Sequence, residues 1–255
     1  QQFVHAETVH SLKGLTLIPG MVDARVHLGE PGDDHRETIP ETLKLAAFGG
    51  VTSVAGLPNT SPALDQVPNL QYAVRRAREA KVAKLYILGA ATKDLLGETL
   101  TEIGGLTEAG AVGLSNGNAA ITRPDVMLRL LAYAKAFDQR LHHFPQEPSL
   151  SRGAMNKGAI AMQLGLSSSS RVAEILMVQR DIQLAREAGA PLHLGPLTCA
   201  DSLNLVRSAK AQGLDITCST APQYFCLNEL EIGDYRTFAK LAPPLRAESD
   251  RQAVI

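Results

Sequence analysis

The sequence has no excess of charge of either sign: its formal net charge is −1 over 255 residues, of which 45% are hydrophobic. A nucleic-acid-binding domain carries a basic excess, and a disordered chain combines high charge with few apolar residues. Long apolar runs are absent as well, since no segment approaches the roughly 20 residues of a membrane span. No charged-then-apolar signal peptide opens the chain. We therefore expect a globular protein without nucleic-acid or membrane partners.

Cysteine is scarce, and its number and spacing exclude a disulfide framework. The three cysteines are an odd number without C-x-x-C spacing: Cys199, Cys218 and Cys226. Disulfides belong to oxidising compartments, where cysteines occur in pairs. The sequence thus predicts reduced thiols in a cytoplasmic protein. Two of the three lie in or beside predicted strands, which favours a role as small core residues.

Strand and helix patterns alternate along the chain, whose length suits one α/β barrel of about 250 residues. Such alternation implies right-handed crossovers and a parallel sheet. No G-x-G-x-x-G follows a strand, which disfavours the alternative of a doubly wound dinucleotide-binding sheet. We predict a TIM-type (β/α)8 barrel over residues 17–255 whose eighth strand these residues do not include, so that the chain is incomplete or the barrel open. The predicted strands are Met21–Leu28, Thr52–Leu57, Lys84–Ala91, Ala111–Ser115, Arg140–Phe144, Pro191–Leu197 and Asp215–Thr220.

Two further segments carry specific predictions. The strongest helix pattern covers Val172–Ala188, with an apolar stripe that includes Val172, Leu176 and Ile182, and Gly189 ends it. Residues 145–170, with the serine run Ser167–Ser170, form the longest irregular stretch. A loop of this length in a compact domain is usually functional or mobile, so we expect the greatest disorder there.

The first predicted strand contains Asp23, Arg25 and His27 within an apolar run. An ionisable side chain in a buried strand is costly unless it has a partner or a task. In a parallel barrel, functional residues lie at the C-terminal ends of the strands. This strand end is therefore the first candidate site.

Five segments resemble, in order and spacing, the dihydroorotase branch of the amidohydrolase superfamily: LIPGMVDARVHLGEPG, GGVTSVAGLPNTSP, AVGLSNG, EPSLSRGAMNKGAIAMQLGL and YRTFAKLAPPLR. Allantoinases and hydantoinases share some of these blocks. The resemblance implies a barrel with one or two divalent metals, usually zinc, that opens or closes a cyclic amide of pyrimidine biosynthesis. Its nucleophile would be a metal-bound hydroxide. It also implies a small β-sandwich built from both termini, of which residues 1–16 would be a remnant.

At the first strand the resemblance implies a His-x-His metal pair followed by a carboxylate-binding arginine. Arg25 replaces the first histidine, His27 keeps the second, and Gly29 stands where the arginine would be. A guanidinium cannot coordinate a divalent ion and repels it. Asn59 matches the family's substrate-contacting asparagine. Arg25 and Asn59 are thus candidate substrate-binding residues, and His27 is a candidate metal ligand.

The other ligand positions implied by the resemblance are also altered. Asn116 replaces an aspartate after the fourth strand, Phe144 a histidine after the fifth, and Pro196 a histidine after the sixth. A one-residue slip could bring His143 to the metal, although such a slip turns a strand side chain to the other face. The family's proton-shuttle aspartate, expected beyond Arg246, is not in these residues. We therefore expect neither a catalytic residue nor a cofactor.

The altered positions suggest ordinary structural roles. We expect Arg25 to pair with an acidic neighbour such as Asp23 or Glu30, and His27 to be hydrogen-bonded in the barrel mouth. His193 would be a core residue with satisfied hydrogen bonds. The two asparagines, Asn59 and Asn116, would bind loop backbone.

Three functional hypotheses remain open. The first is a non-catalytic dihydroorotase-like protein that is a structural or regulatory partner, as a homo-oligomer or in complex with a carbamoyltransferase such as aspartate transcarbamoylase. The alternative is an active cyclic amidohydrolase of the dihydroorotase, allantoinase or hydantoinase type, with zinc in a rearranged site that uses His27, His142 or His143. The third is a mouth that binds a small anionic metabolite through Arg25 without reacting it.

Overall fold

The computed structural model of the protein describes residue 8 and residues 10–255. Half of the predicted remnant at 1–16 therefore lies outside the described residues, and its boundary stays a prediction. The strands are β1 Met21–Val26, β2 Val51–Gly56, β3 Lys84–Ala90, β4 Ala111–Ser115, β5 Leu141–His143, β6 Met155–Asn156, β7 Ser168–Ser169, β8 Leu192–Leu194 and β9 Ile216–Cys218. The helices are α1 Ile39–Phe48, α2 Val67–Ala80, α3 Ile103–Glu108, α4 Pro124–Ala136, α5 Ala159–Leu164, α6 Val172–Ala188, α7 Ala200–Ala211, α8 Pro222–Cys226 and α9 Glu248–Val254.

Seven strands form one curled parallel sheet in the order β1-β2-β3-β4-β5-β8-β9. Helices alternate with the strands, so the predicted architecture of a TIM-type α/β barrel is confirmed in the form of an open half-barrel. Within the described residues β1 and β9 are the edges and do not pair with each other. The sheet brings the C-terminal ends of its strands to one rim, the mouth.

Local sequence explains where the helices begin and end. Thr38 caps α1 through a reciprocal capping box with Glu41, in which the Thr38 side chain accepts from the Glu41 backbone N–H. Gly189 ends α6 in a left-handed conformation with φ +58°, where a residue with a Cβ is strained. The helix α3 begins only at Ile103, because Lys93 N donates to Thr99 O and holds residues 99–100 in a loop.

Two apolar clusters fill the space between the sheet and its helices. One packs α4, α6 and α7 against β4, β5 and β8. The other packs α1, α2 and α3 against β2 and β3. Of the two cysteines in or beside predicted strands, Cys199 is buried as predicted and Cys218 is partly buried, whereas Cys226, which is beside no predicted strand, is exposed. None of the helices in the described part of the chain is long and apolar enough to cross a membrane.

The prediction that residues 145–170 are irregular is wrong for their second half, residues 155–169. They contain α5 and a small parallel sheet of β6 and β7, and the serine run supplies β7. Gly153 makes this pairing possible: a Cβ there would lie 1.9 Å from the backbone carbon of Ser168. Strands of two residues are too short to produce a recognisable alternation in the sequence.

Candidate functional site

The mouth is dominated by Arg25, at the C-terminal end of β1. Its Nη2 donates to the carbonyl oxygen of Gly117 (3.0 Å) and to Oδ1 of Asn118 (2.8 Å). Its guanidinium carbon lies 5.5 Å from the ring centroid of Phe144. Arg25 thus joins the ends of three strands, β1, β4 and β5. Burial lowers the pKa of Arg25 to about 10, so the side chain remains a cation near neutral pH.

The predicted ion pair of Arg25 with Asp23 or Glu30 is wrong. Asp23 accepts from the backbone N–H of Arg25 and not from its side chain. Glu30 is buried and instead accepts from Tyr72, Arg76 and the backbone N–H of Ile39. Across residues 10–255 the guanidinium of Arg25 has no carboxylate within ion-pair distance.

His27 follows β1 and is exposed at the mouth, where Asn59 Nδ2 donates to its Nδ1 at 3.1 Å. His27 is hydrogen-bonded through Nδ1, as predicted, and its Nε2 makes no hydrogen bond within residues 10–255. Asn59 binds a side chain instead of the predicted backbone, and its buried Oδ1 has no partner.

Asn116 follows β4 and is buried, with both ends of its amide engaged. Its Nδ2 donates to the carbonyl oxygens of Leu95 (2.8 Å) and Ala119 (3.3 Å), and its Oδ1 accepts from Thr92 Oγ1 (2.6 Å). The prediction that it binds loop backbone is confirmed. The side chain fixes the loops that follow β3 and β4.

His143 is fully buried on the helix side of the sheet, so its predicted role as a metal ligand is wrong. Its Nε2 accepts from the Ile121 N–H (2.9 Å), which leaves the proton on Nδ1 to donate to Asp181 Oδ2 (2.6 Å). Arg180 completes the network by binding Asp181 Oδ1 and the carbonyl oxygen of Ile121. Side chains alternate along a strand, and His143 therefore points away from the barrel interior.

His142 and His193 face that interior, with their ring centroids 4.7 Å apart. The two nitrogens of His193 are bound to Thr217 Oγ1 (2.8 Å) and Ser219 Oγ (2.9 Å), which confirms the prediction of satisfied hydrogen bonds. Desolvation, aided by the charges of Arg140 and Arg25, lowers the pKa of His193 to about 4. Desolvation, aided by His193 and the same arginines, lowers the pKa of His142 to about 3. Both rings are neutral near pH 7.

The donor set at the mouth does not fit the divalent metal that the family resemblance implies. Arg25 is a cation, and Phe144 and Pro196 have no donor atom. His27 offers a single ring nitrogen, and both ends of the Asn116 amide are already hydrogen-bonded. In the part of the chain that the structure describes, no group of three or more His, Cys, Asp or Glu side chains could hold a metal ion. A catalytic zinc site requires about three protein ligands.

A buried polar network next to the mouth escaped sequence analysis. The Glu174 carboxylate accepts from the backbone N–H groups of Thr198 and Cys199 and from Thr198 Oγ1. Arg246 Nε in turn donates to Thr198 Oγ1 at 3.0 Å. This network fixes the turn after Pro196. In the sequence, this network is indicated only by a charged residue, Glu174, within the apolar pattern of α6.

Comparison with known families decides the classification. A family profile described as "Dihydro-orotase-like" matches residues 14–202, which is most of the chain. The chain belongs to the dihydroorotase-like family. Proteins named dihydroorotase from Desulforapulum autotrophicum and Desulfotalea psychrophila are 40% and 41% identical to it over 243 and 246 residues. These matches cover 95% and 96% of this dihydroorotase-like chain but 57% and 58% of the relatives, so the chain spans little more than half of their length.

Solved structures agree with the fold of this dihydroorotase-like chain. The L-hydantoinase (dihydropyrimidinase) from Arthrobacter aurescens matches with a TM-score of 0.77 and 20% identity, over 92% of this chain and 54% of that one. A dihydroorotase from Saccharomyces cerevisiae, solved in complex with 5-fluoroorotic acid, matches with a TM-score of 0.70 and 14% identity, over 93% and 65%. At these identities the likeness supports the barrel fold alone.

Proposed function

We propose that this protein is a non-catalytic dihydroorotase-like chain that acts as a structural or regulatory partner, for example of the carbamoyltransferase aspartate transcarbamoylase. The observation that carries the proposal is the Arg25 guanidinium, which bridges the ends of β1, β4 and β5. These are strand ends at which the family resemblance implies metal ligands. A fixed cation there repels a divalent ion.

The other altered positions support the same proposal. A single lost ligand could be compensated by a neighbouring histidine. Here His143 is committed to Asp181 on the other side of the sheet, and His27 to Asn59. His142 has no hydrogen-bond partner among the described residues, but one free histidine cannot replace the three ligands lost at Arg25, Phe144 and Pro196.

A partner role is supported by an exposed apolar surface, the β1–α1 patch, at the N-terminal side of the sheet edge. Apolar patches on a protein surface mark interaction sites. Phe48 is 94% exposed and Leu17 83% exposed. The patch consists of Leu17, Ile18, Met21, Val22, Leu45 and Phe48.

The catalytic half of the proposal is tested by assaying the full chain, with zinc added, for ring opening of dihydroorotate and ring closure of carbamoyl aspartate. The expected rate equals that of the protein-free control in both directions. Turnover that requires zinc and disappears with a chelator would overturn the proposal. That result would support an active amidohydrolase with a rearranged site.

The partner half is tested by sedimentation of the chain mixed with aspartate transcarbamoylase from the same organism. We expect a complex that Phe48→Asp weakens at least about tenfold, because a charge placed in the centre of an apolar interface is costly. Phe238→Asp is the matched control, since Phe238 is also 94% exposed but lies in another part of the surface. Absence of a complex at micromolar concentrations, or self-association alone, would contradict a carbamoyltransferase partner.

A further inference from the structure

We propose that Asn116 is a site of spontaneous deamidation, and that the native loops around it suppress the reaction until they open. Asn116 and Gly117 form the one Asn-Gly pair of the sequence. Asparagine followed by glycine is the pair most prone to this modification, because glycine has no side chain to hinder ring closure. The pair lies in the turn after β4, where the Gly117 carbonyl oxygen accepts from Arg25.

The reaction requires only the chain itself and water. The Gly117 backbone nitrogen attacks Cγ of Asn116, so that a new N–Cγ bond forms and the Cγ–Nδ2 bond breaks. The side-chain nitrogen leaves as ammonia and takes up the proton that the Gly117 nitrogen gives up. Water then opens the five-membered imide ring at one of its two carbonyl carbons, which leaves either aspartate or isoaspartate at position 116.

In the native structure both reacting groups are held by hydrogen bonds. Asn116 is 1% exposed, its Oδ1 accepts from Thr92 Oγ1 at 2.6 Å, and its Nδ2 donates to two backbone carbonyl oxygens. The Gly117 N–H donates to Ser115 Oγ at 3.1 Å. These bonds keep the nitrogen from turning toward Cγ, and burial keeps water from the amide. The reaction therefore requires a local opening of the loops that follow β3 and β4.

The turn needs both members of this labile pair. Gly117 has a φ of +61°, and a Cβ on it would lie 2.7 Å from Cβ of Asn59, so any other residue is strained there. The Asn116 amide nitrogen is the donor to the carbonyl oxygens of Leu95 and Ala119. A carboxylate in its place would face these two oxygens without a donor, as a buried charge among acceptors. We therefore expect the deamidated chain to be less stable than the unmodified one.

The protection is tested by mass spectrometry of the peptide that contains Asn116, after incubation of the full chain in mildly alkaline buffer with and without denaturing urea. We expect the native chain to deamidate at least about tenfold more slowly than the chain in urea, because only the open fraction reacts. Equal rates in the two conditions, or no deamidation of Asn116 in urea, would overturn the inference.

Two threonine variants show whether the contact with Asn116 suppresses the reaction. Thr92→Val removes the hydroxyl that binds Asn116 Oδ1, and we expect the native rate to rise at least about tenfold. Thr101→Val is the matched control, because Thr101 Oγ1 is also buried but donates to the Ala90 carbonyl oxygen. If T92V does not fold, Ser115→Ala replaces it, since this change removes the acceptor of the Gly117 N–H. A native rate no higher than that of T101V would overturn the inference.

Asn116→Asp carries the aspartate product from the start. We expect its thermal midpoint to lie at least about 4 °C below that of the wild type, since two buried carbonyl groups lose their donor. Asn204→Asp is the matched control, because Asn204 is exposed on α7 and its midpoint should stay within about 1 °C of the wild type. A midpoint in N116D equal to that in N204D would overturn the inferred effect of the modification.

Discussion

Adjacent residues in one strand have different environments here, as His142 and His143 demonstrate. Their side chains project to opposite faces of the sheet, so that His142 enters the barrel and His143 enters the helix layer. The alternation of a strand was predictable, and it correctly weakened the case for His143 as a ligand. Its partner Asp181 lies 38 positions away in the sequence, and no local pattern indicates that pairing.

The partner of Arg25 could not be predicted for a related reason. The prediction took the acids closest in sequence, whereas the observed acceptors lie 92 and 93 positions away in the turn after β4. One of them is a backbone carbonyl group. Every residue has such a group, so the sequence contains no signal for its use.

Replacing Asp181 tests the buried network of His143, Asp181 and Arg180. Asp181→Ala leaves the His143 Nδ1–H buried without an acceptor and removes the counter-ion of Arg180, so we expect the free energy of unfolding to fall by about 3 kcal/mol. Chemical denaturation measures this. Asp125→Ala is the control, because its ion pair with Arg123 is exposed and should contribute below about 1 kcal/mol. Equal losses in the two variants would show that the network is not stabilising.

The two interior histidines predict a pH dependence of stability. Their pKa values are about 3 and about 4 in the folded protein, below the value of about 6.5 in an unfolded chain. Between about pH 4 and 6.5 the unfolded state therefore binds more protons, and stability falls as the pH is lowered through this range. Each ring contributes up to about 1.4 kcal/mol per pH unit. His142→Phe should remove about half of this slope, measured by denaturation at several pH values, and an unchanged slope would contradict the burial of His142.

At the scale of elements, the hydrophobic pattern of α6 predicts the boundaries of the helix better than it predicts its buried face. The predicted boundaries, Val172–Ala188, are confirmed, since helical periodicity and a final glycine are strong signals. The predicted apolar stripe is displaced: Val172 and Leu176 are exposed, whereas Glu174 and Asp181 are fully buried. Both carboxylates point inward because each accepts hydrogen bonds from groups at a strand end. Hydrophobic periodicity does not detect such hydrogen bonds.

Substitution of Gly153 tests the close packing of the small β6–β7 sheet. Gly153→Ala places a Cβ against the backbone of Ser168 and Ser169, so the small sheet must shift. We expect a loss of about 2 kcal/mol or more in the free energy of unfolding. Gly158→Ala is the matched control, because no atom lies within 4 Å of the added Cβ and its backbone is extended. A loss in G158A equal to that in G153A would contradict the close packing at Gly153.

At the scale of the whole molecule, the fold was the most predictable property. Alternating strands and helices give a parallel sheet on general grounds, and several sequence blocks in family order identify the barrel. Which side chains meet at its mouth was not predictable, because the contacts join strand ends far apart in sequence. The structure adds that a guanidinium lies at the mouth and connects β1, β4 and β5 through hydrogen bonds and a ring contact.

The zinc stoichiometry of the full chain tests most directly whether Arg25 stands in place of a metal. The protein is dialysed against excess zinc, desalted, and analysed by mass spectrometry for metal per chain. We predict retention of fewer than about 0.1 zinc ions per chain, since about three ligands are needed and the mouth offers a cation instead. His27→Ala should give the same value. About one zinc ion per chain in the wild type, lost in His27→Ala, would contradict the account.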